Sequence, residues 1–100
     1  MRKYSLLILP AAKKDIYEAR KWYGQYNEEL PKRLKEELKL IAESLKLRPY
    51  VHAIRYRNVR LAQLYRFPYA VHYFIDETSF TVNIIAVHHT AINPSDWRIT

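Results

Sequence analysis

The chain has 100 residues, a net charge of +7 and no cysteine. That length suits one domain over residues 1–100, burying roughly two-thirds of its extended surface, and excludes a disulfide scaffold or thiol chemistry. No apolar run approaches the ~20 residues of a membrane span, and the short run of residues 6–9 ends at Pro10 and turns charged, too short for a secretory leader, so an intracellular, cytoplasmic protein is expected.

The charge is unevenly spread. Residues 10–45 hold eight cations against seven anions, whereas Lys46, Arg48, Arg55, Arg57, Arg60 and Arg66 occupy 46–75 without a single acid. A field of one sign attracts RNA, DNA or an acidic protein.

Residues 4–9 read as a strand. Pro10 suits a first helical turn, where its missing N–H costs nothing. From there Ala12, Ile16, Ala19, Tyr23 and Tyr26 recur at steps of four, three, four and three, with Trp22 at the edge of the stripe. Gly24 and Asn27 weaken the end of that helix. A second helix is expected from near Pro31, where Leu34, Leu38, Ile41 and Leu45 form the apolar stripe and Lys and Glu fill the outer face. It must stop before Pro49.

The period then changes to two, and residues 52–57, 60–67, 69–76 and 80–89 read as strands. Asn58 is expected to take the left-handed conformation of the first turn, Pro68 separates the second strand from the third, and residues 76–79 form a polar hairpin turn. The expected fold is α+β: an N-terminal strand, a helical hairpin, then an antiparallel four-strand meander, β-α-α-β-β-β-β, with the helices on one face of the sheet. Alternation groups Val71, Tyr73 and Ile75 against Ala70, His72 and Phe74. In the last strand it groups Phe80, Val82, Ile84 and Ala86 against Thr81, Asn83, Ile85 and Val87.

Chemistry-bearing residues are few. The histidines are His52, His72, His88 and His89. Neighbouring strand residues point to opposite faces, so His88 and His89 are not expected to share a metal, and no metal or cofactor is expected. One glycine is too few for a phosphate-cradling loop. What remains is a set of arginines and histidines interleaved with Tyr56, Tyr65, Tyr69 and Tyr73. Arginine binds phosphate with two donors, an aromatic ring stacks on a base, and a histidine can serve as general acid or base for a 2′-hydroxyl. The structural alternative is cross-strand packing for the tyrosines and hydrogen bonding for the histidines. Arg66 stands out, lying between two aromatic clusters.

The order "AAKKDIYEARKWY", then a Leu-periodic helix, then "RLAQLYRFPYAVHYFID", then "VNIIAVHHTAINPSDW" resembles the RelE/ParE superfamily of type II toxin–antitoxin toxins. The most specific pieces are Ala-x-x-Asp-Ile at 12–16, Arg-Phe-Pro-Tyr-x-x-x-Tyr at 66–73 and Ala-Val-His-His at 86–89. The resemblance implies the same fold and a toxin neutralised by a cognate antitoxin that wraps it with an acidic segment. RelE-like members cut messenger RNA on the ribosome, whereas ParE-like members inhibit DNA gyrase and are not nucleases.

In a RelE-like reading Arg66 is the central-strand arginine, Arg60 helps to hold phosphate, Tyr69 stacks or orients, and His89 (or His88) is the late general acid or base. Where many relatives then carry two arginines, this chain has Ala91 and Ile92. Two cations that would stabilise developing charge are therefore missing, which favours the ParE-like branch. There Arg66 and the tail with Trp97 form a binding surface, to which Arg55, Arg57, Arg60, Tyr69 and His88 also belong. A third reading is an inactive, complex-forming relative. The single tail tryptophan is otherwise expected to clasp the tail to the domain. An apolar docking face on the free protein would show itself as homodimerisation or poor solubility.

Overall fold

Leu9 enters the first helix in extended conformation (φ −72°, ψ 157°), and Pro10 takes the first helical position. In the computed structural model, which describes residues 3–91, the elements are β1 (Ser5–Ile8), α1 (Pro10–Gly24), α2 (Glu29–Leu47), β2 (Ile54–Tyr56), β3 (Val59–Gln63), β4 (Tyr69–Asp76) and β5 (Thr81–His89). The β-α-α-β-β-β-β order is the expected one. The strands form one sheet in the order β1-β5-β4-β3-β2. β2 to β5 make the antiparallel meander, and β1 closes the other side by running parallel to β5.

α2 begins two residues before the expected Pro31. The side chain of Asn27 accepts the Glu29 N–H at 2.8 Å, which supplies a start, and Pro31 still falls in the first turn, where no intrahelical N–H bond is lost. Ala12 and Ala19 of α1, with Leu34 and Leu45 of α2, pack into one core with Ala62, Val71, Tyr73, Val82, Ile84 and Val87 of the sheet. Tyr26 lies past the end of α1 and is exposed, so the buried stripe of that helix stops at Tyr23.

Two expected strand boundaries and one turn residue differ from the sequence reading for identifiable reasons. The second meander strand ends at Gln63 rather than residue 67, because Leu64 and Phe67 both turn into the core. Phe80 stands outside β5 with φ 54°, although its carbonyl still accepts the Ser5 N–H at 2.9 Å. In the β2–β3 hairpin the left-handed residue is Arg57 (φ 49°), not Asn58. A two-residue hairpin loop places that demand on its first central residue. The 76–79 turn forms as expected, with Asp76 Oδ1 accepting the Thr78 N–H at 3.0 Å.

The largest departure lies within β5. The register runs Tyr73↔Ile84 and then His72↔Ala86, so Ile85 is an extra residue, a β-bulge. Beyond it the alternation inverts. Val87, grouped by strict alternation with Asn83, instead opposes Val71 and joins Val82 and Ile84 in the core. The bulge also aims the two terminal histidines: His89 lies opposite Tyr69, and His88 opposite Ala70. Among the described residues, no helix is long and apolar enough to cross a membrane.

Candidate functional site

β1 stops at Ile8, opposite Ile84. The edge of β5 beyond that point would lie open, but the Val87 N–H donates to Asp15 Oδ2 at 2.9 Å. Helix α1 therefore caps the strand edge with a carboxylate. Between this helix and the ends of β4 and β5 lies a cleft of about 620 Å³. Asp15, Glu18, Trp22 and Tyr23 form its helical wall, and Pro68, Tyr69, His88 and His89 face them.

His89 packs edge-on to Tyr69, ring centroids 5.2 Å apart. Its Nδ1 accepts the Ala91 N–H at 3.1 Å, which leaves Nε2 to carry the proton of the neutral ring. His88 has Nδ1 4.0 Å from Asp15 Oδ2, an ion pair only when the imidazole is protonated. Burial first, then the neighbouring Tyr23 and Asp15, raise the Tyr69 phenol above its usual range. Behind His88 the ring of His72 lies at 4.9 Å, and its Nδ1 is 3.0 Å from the Tyr56 hydroxyl.

The arginines expected to join these histidines lie elsewhere. Arg66 is not on a central strand; it sits in the five-residue connection between β3 and β4. There Leu64 and Phe67 are buried, while Tyr65 is 90% exposed. Glu37 of α2 accepts the backbone N–H groups of Tyr65 and Arg66 (3.0 Å to the latter), holding the connection against the helix. Arg66 lines a second cleft with Arg33, Glu36, Leu40 and Tyr65, apart from His88 and His89. Arg60 donates to the His52 carbonyl at 2.6 Å and lies 5.0 Å from the Tyr50 ring, fastening the segment before β2. Arg55 is on β2 and Arg57 at the hairpin turn, both exposed. Trp97 lies outside the described residues. The expected site thus divides into three: Tyr69, His88 and His89 in the larger cleft, Arg66 in the smaller one, and Arg55, Arg57 and Arg60 near the β2 edge.

Asp15, Glu18, Trp22 and Tyr23 were not among the expected site residues. A signal existed for two of them: Asp15 and Trp22 step by four and three around Ala19, so they flank the apolar stripe of α1 and share the side of the helix that Ala19 presents. Chemically, the larger cleft offers two carboxylates, aromatic walls and histidines, and among the described residues no lysine or arginine lines it. A phosphodiester placed there would meet negative charge and no fixed cation, the reverse of what stabilises a phosphorane-like transition state.

Glu37 is a clamp whose contribution is measurable. Glu37→Ala is expected to cost about 1.5 kcal/mol in urea unfolding, the low end for bonds to a charged acceptor because the loop amides can turn to water. It should also speed hydrogen exchange at Tyr65 and Arg66.

The family described as the ParE toxin of type II toxin–antitoxin systems, parDE, matches residues 6–94. The fold is similar to that of the toxin–antitoxin complex RelBE2 of Mycobacterium tuberculosis, with a TM-score of 0.64 at 23% identity over 87% of this chain and 98% of that one. It is similar to the chromosomal ParDE system of P. aeruginosa, with a TM-score of 0.64 at 17% identity over 87% and 96% of the two chains. The intact E. coli RelBE complex gives a TM-score of 0.61 at 18% identity over 90% and 99%. At these identities the likeness is one of fold. No curated protein matches the sequence.

Proposed function

This chain belongs to the family of ParE toxins of type II toxin–antitoxin systems, and on that premise we propose that it is held by a cognate antitoxin in the cytoplasm and, when released, stops growth by inhibiting DNA gyrase rather than by cutting messenger RNA. The observation that carries the choice of target is the separation of the parts a ribonuclease needs. Arg66 and His89 line different clefts, and among the described residues the cleft at His89 is lined by Asp15 and Glu18 and by no lysine or arginine. Arg60, the other candidate phosphate ligand, is engaged by the His52 carbonyl. The solved ParDE and RelBE complexes support the antitoxin by analogy of fold. The acid-free stretch from Lys46 to Ile75 supports an acidic partner by charge.

The test is a cell-free translation reaction given the purified protein, with the 3′ ends of the message mapped. Intact message is expected. Codon-aligned cuts that need ribosomes, and that fall about 10²–10⁴-fold in His89→Ala as general acid–base catalysis would require, would replace this reading with a RelE-like endoribonuclease.

A further inference from the structure

Seventeen of the 100 residues are Lys or Arg, yet among the described residues none of them lines the larger cleft, where Asp15 and Glu18 stand instead. The lining is also polarised along its length. The carboxylates occupy one end. They are three residues apart on α1, so their side chains are neighbours on one helix face, and Asp15 is tied there to the Val87 N–H at 2.9 Å. A carboxylate has about four lone-pair sites, so one N–H leaves most of its acceptor capacity. The other end is aromatic. Trp22 and Tyr23 lie 5.1 Å apart at 89°, Tyr23 and Tyr69 6.2 Å apart at 63°, and Tyr69 and His89 5.2 Å apart at 74°. Each ring is turned from the next, so together they present faces and edges around a space rather than a stack that fills it. Trp22 is 51% exposed, and Ala19, buried between the two ends, adds only a methyl group to the wall.

Each feature restricts the occupant. A volume of about 620 Å³ suits a small molecule. An anion is repelled by the carboxylates, as a phosphodiester is. A hard divalent ion needs about six oxygen ligands, and among the described residues no group of three or more His, Cys, Asp or Glu is placed to hold a metal. A neutral apolar molecule would displace water from the carboxylates without replacing its hydrogen bonds. The chemistry that satisfies both ends is a cation on an apolar body. Its ammonium meets Asp15 and Glu18, and its ring lies against Trp22 and Tyr69, where cation–π attraction adds to ring packing.

We propose that the cleft between α1 and the ends of β4 and β5 is a binding site for a free small organic cation of the arylalkylamine class, its ammonium held by Asp15 and Glu18 and its ring by Trp22 and Tyr69. Such a site is independent of the toxin's target, and the same carboxylates would repel an acidic antitoxin segment.

The test uses the ¹⁵N-labelled full chain. It is titrated with 2-phenylethylamine and, at equal ionic strength, with 2-phenylethanol and 3-phenylpropionate, which keep the ring but carry no charge or a negative one. The amine is expected to shift the amides of residues 15–23, 69 and 87–89 and the Trp22 indole N–H, with a Kd on the order of 1 mM. The alcohol should bind about tenfold more weakly, and the acid not at all. Asp15→Asn/Glu18→Gln keeps an acceptor for the Val87 N–H and should bring the amine down to the affinity of the alcohol. Glu18→Gln alone, at an exposed position, should weaken the amine about threefold and leave the alcohol unchanged. Equal binding of amine and alcohol, shifts gathered outside the cleft, no binding of the amine, or indifference to both charge-removing variants would each overturn the proposal. So would binding that appears only in Arg98→Ala, which would give the cleft to the chain's own tail.

Discussion

Replacing Tyr73 by alanine is expected to lower the free energy of unfolding by about 3–5 kcal/mol, the range for deleting a large buried aromatic. The residue is fully buried at the middle of β4. It pairs with Arg60 of β3 on one side and Ile84 of β5 on the other. Its hydroxyl donates to the Pro49 carbonyl at 2.7 Å, tying the sheet to the segment that leaves α2. Burial pushes the phenol up to about 12, so the hydroxyl stays a donor at any physiological pH. Tyr73→Phe isolates that bond and is expected to cost about 1–2 kcal/mol, because the Pro49 carbonyl would be left buried without its partner. A domain of this size is stable by only about 5–15 kcal/mol, so the alanine variant should lie near the limit of folding. Urea unfolding monitored by circular dichroism measures both. A loss below about 1 kcal/mol for alanine would mean that this ring is not central to the core.

Acid should find a second weak point. His72 is fully buried on the face of the sheet away from Tyr73. Its pKa is lowered from 6.5 to about 4, by burial first, then by His88 and Arg55. The unfolded chain takes up this proton before the folded one does. The contribution is therefore complete above pH 6.5 and is lost as pH falls toward about 4. A depression of this size corresponds to about 3 kcal/mol. Burial lowers the His52 pKa too and adds in the same direction. His72→Gln, whose amide can still meet the Tyr56 hydroxyl, is expected to flatten the stability profile between pH 7 and 4. An unchanged slope would contradict the assignment. The same shift bears on function: a histidine neutral at pH 7 is not a cation for holding phosphate.

How far such residues could be placed from sequence depended on whether a local rule met a competing one. The helix stripes through Ala12, Ile16 and Ala19 and through Leu34, Leu38, Ile41 and Leu45 were legible because the 3.6-residue period is sustained over several turns. The 76–79 turn was legible because Asp76 bonds its own backbone. The face of every residue after Ile85 was not legible. A single bulge inverts a period of two, and nothing in Ile84-Ile85-Ala86 marks it. Arg66 was misplaced for a related reason. Leu64 and Phe67 continue an apolar pattern that resembles strand, while the chain has already turned onto Glu37 of α2, a contact 29 residues distant in sequence. The role of Asp15 likewise depends on where β1 stops pairing, which is a matter of tertiary structure.

The proposed action on gyrase is read from ATP-dependent supercoiling of a relaxed plasmid by purified gyrase as the purified chain is added. Supercoiling is expected to fall as the chain approaches stoichiometry with the enzyme and to recover when the antitoxin is supplied. Full supercoiling in the presence of excess chain that nonetheless arrests growth on expression would contradict it.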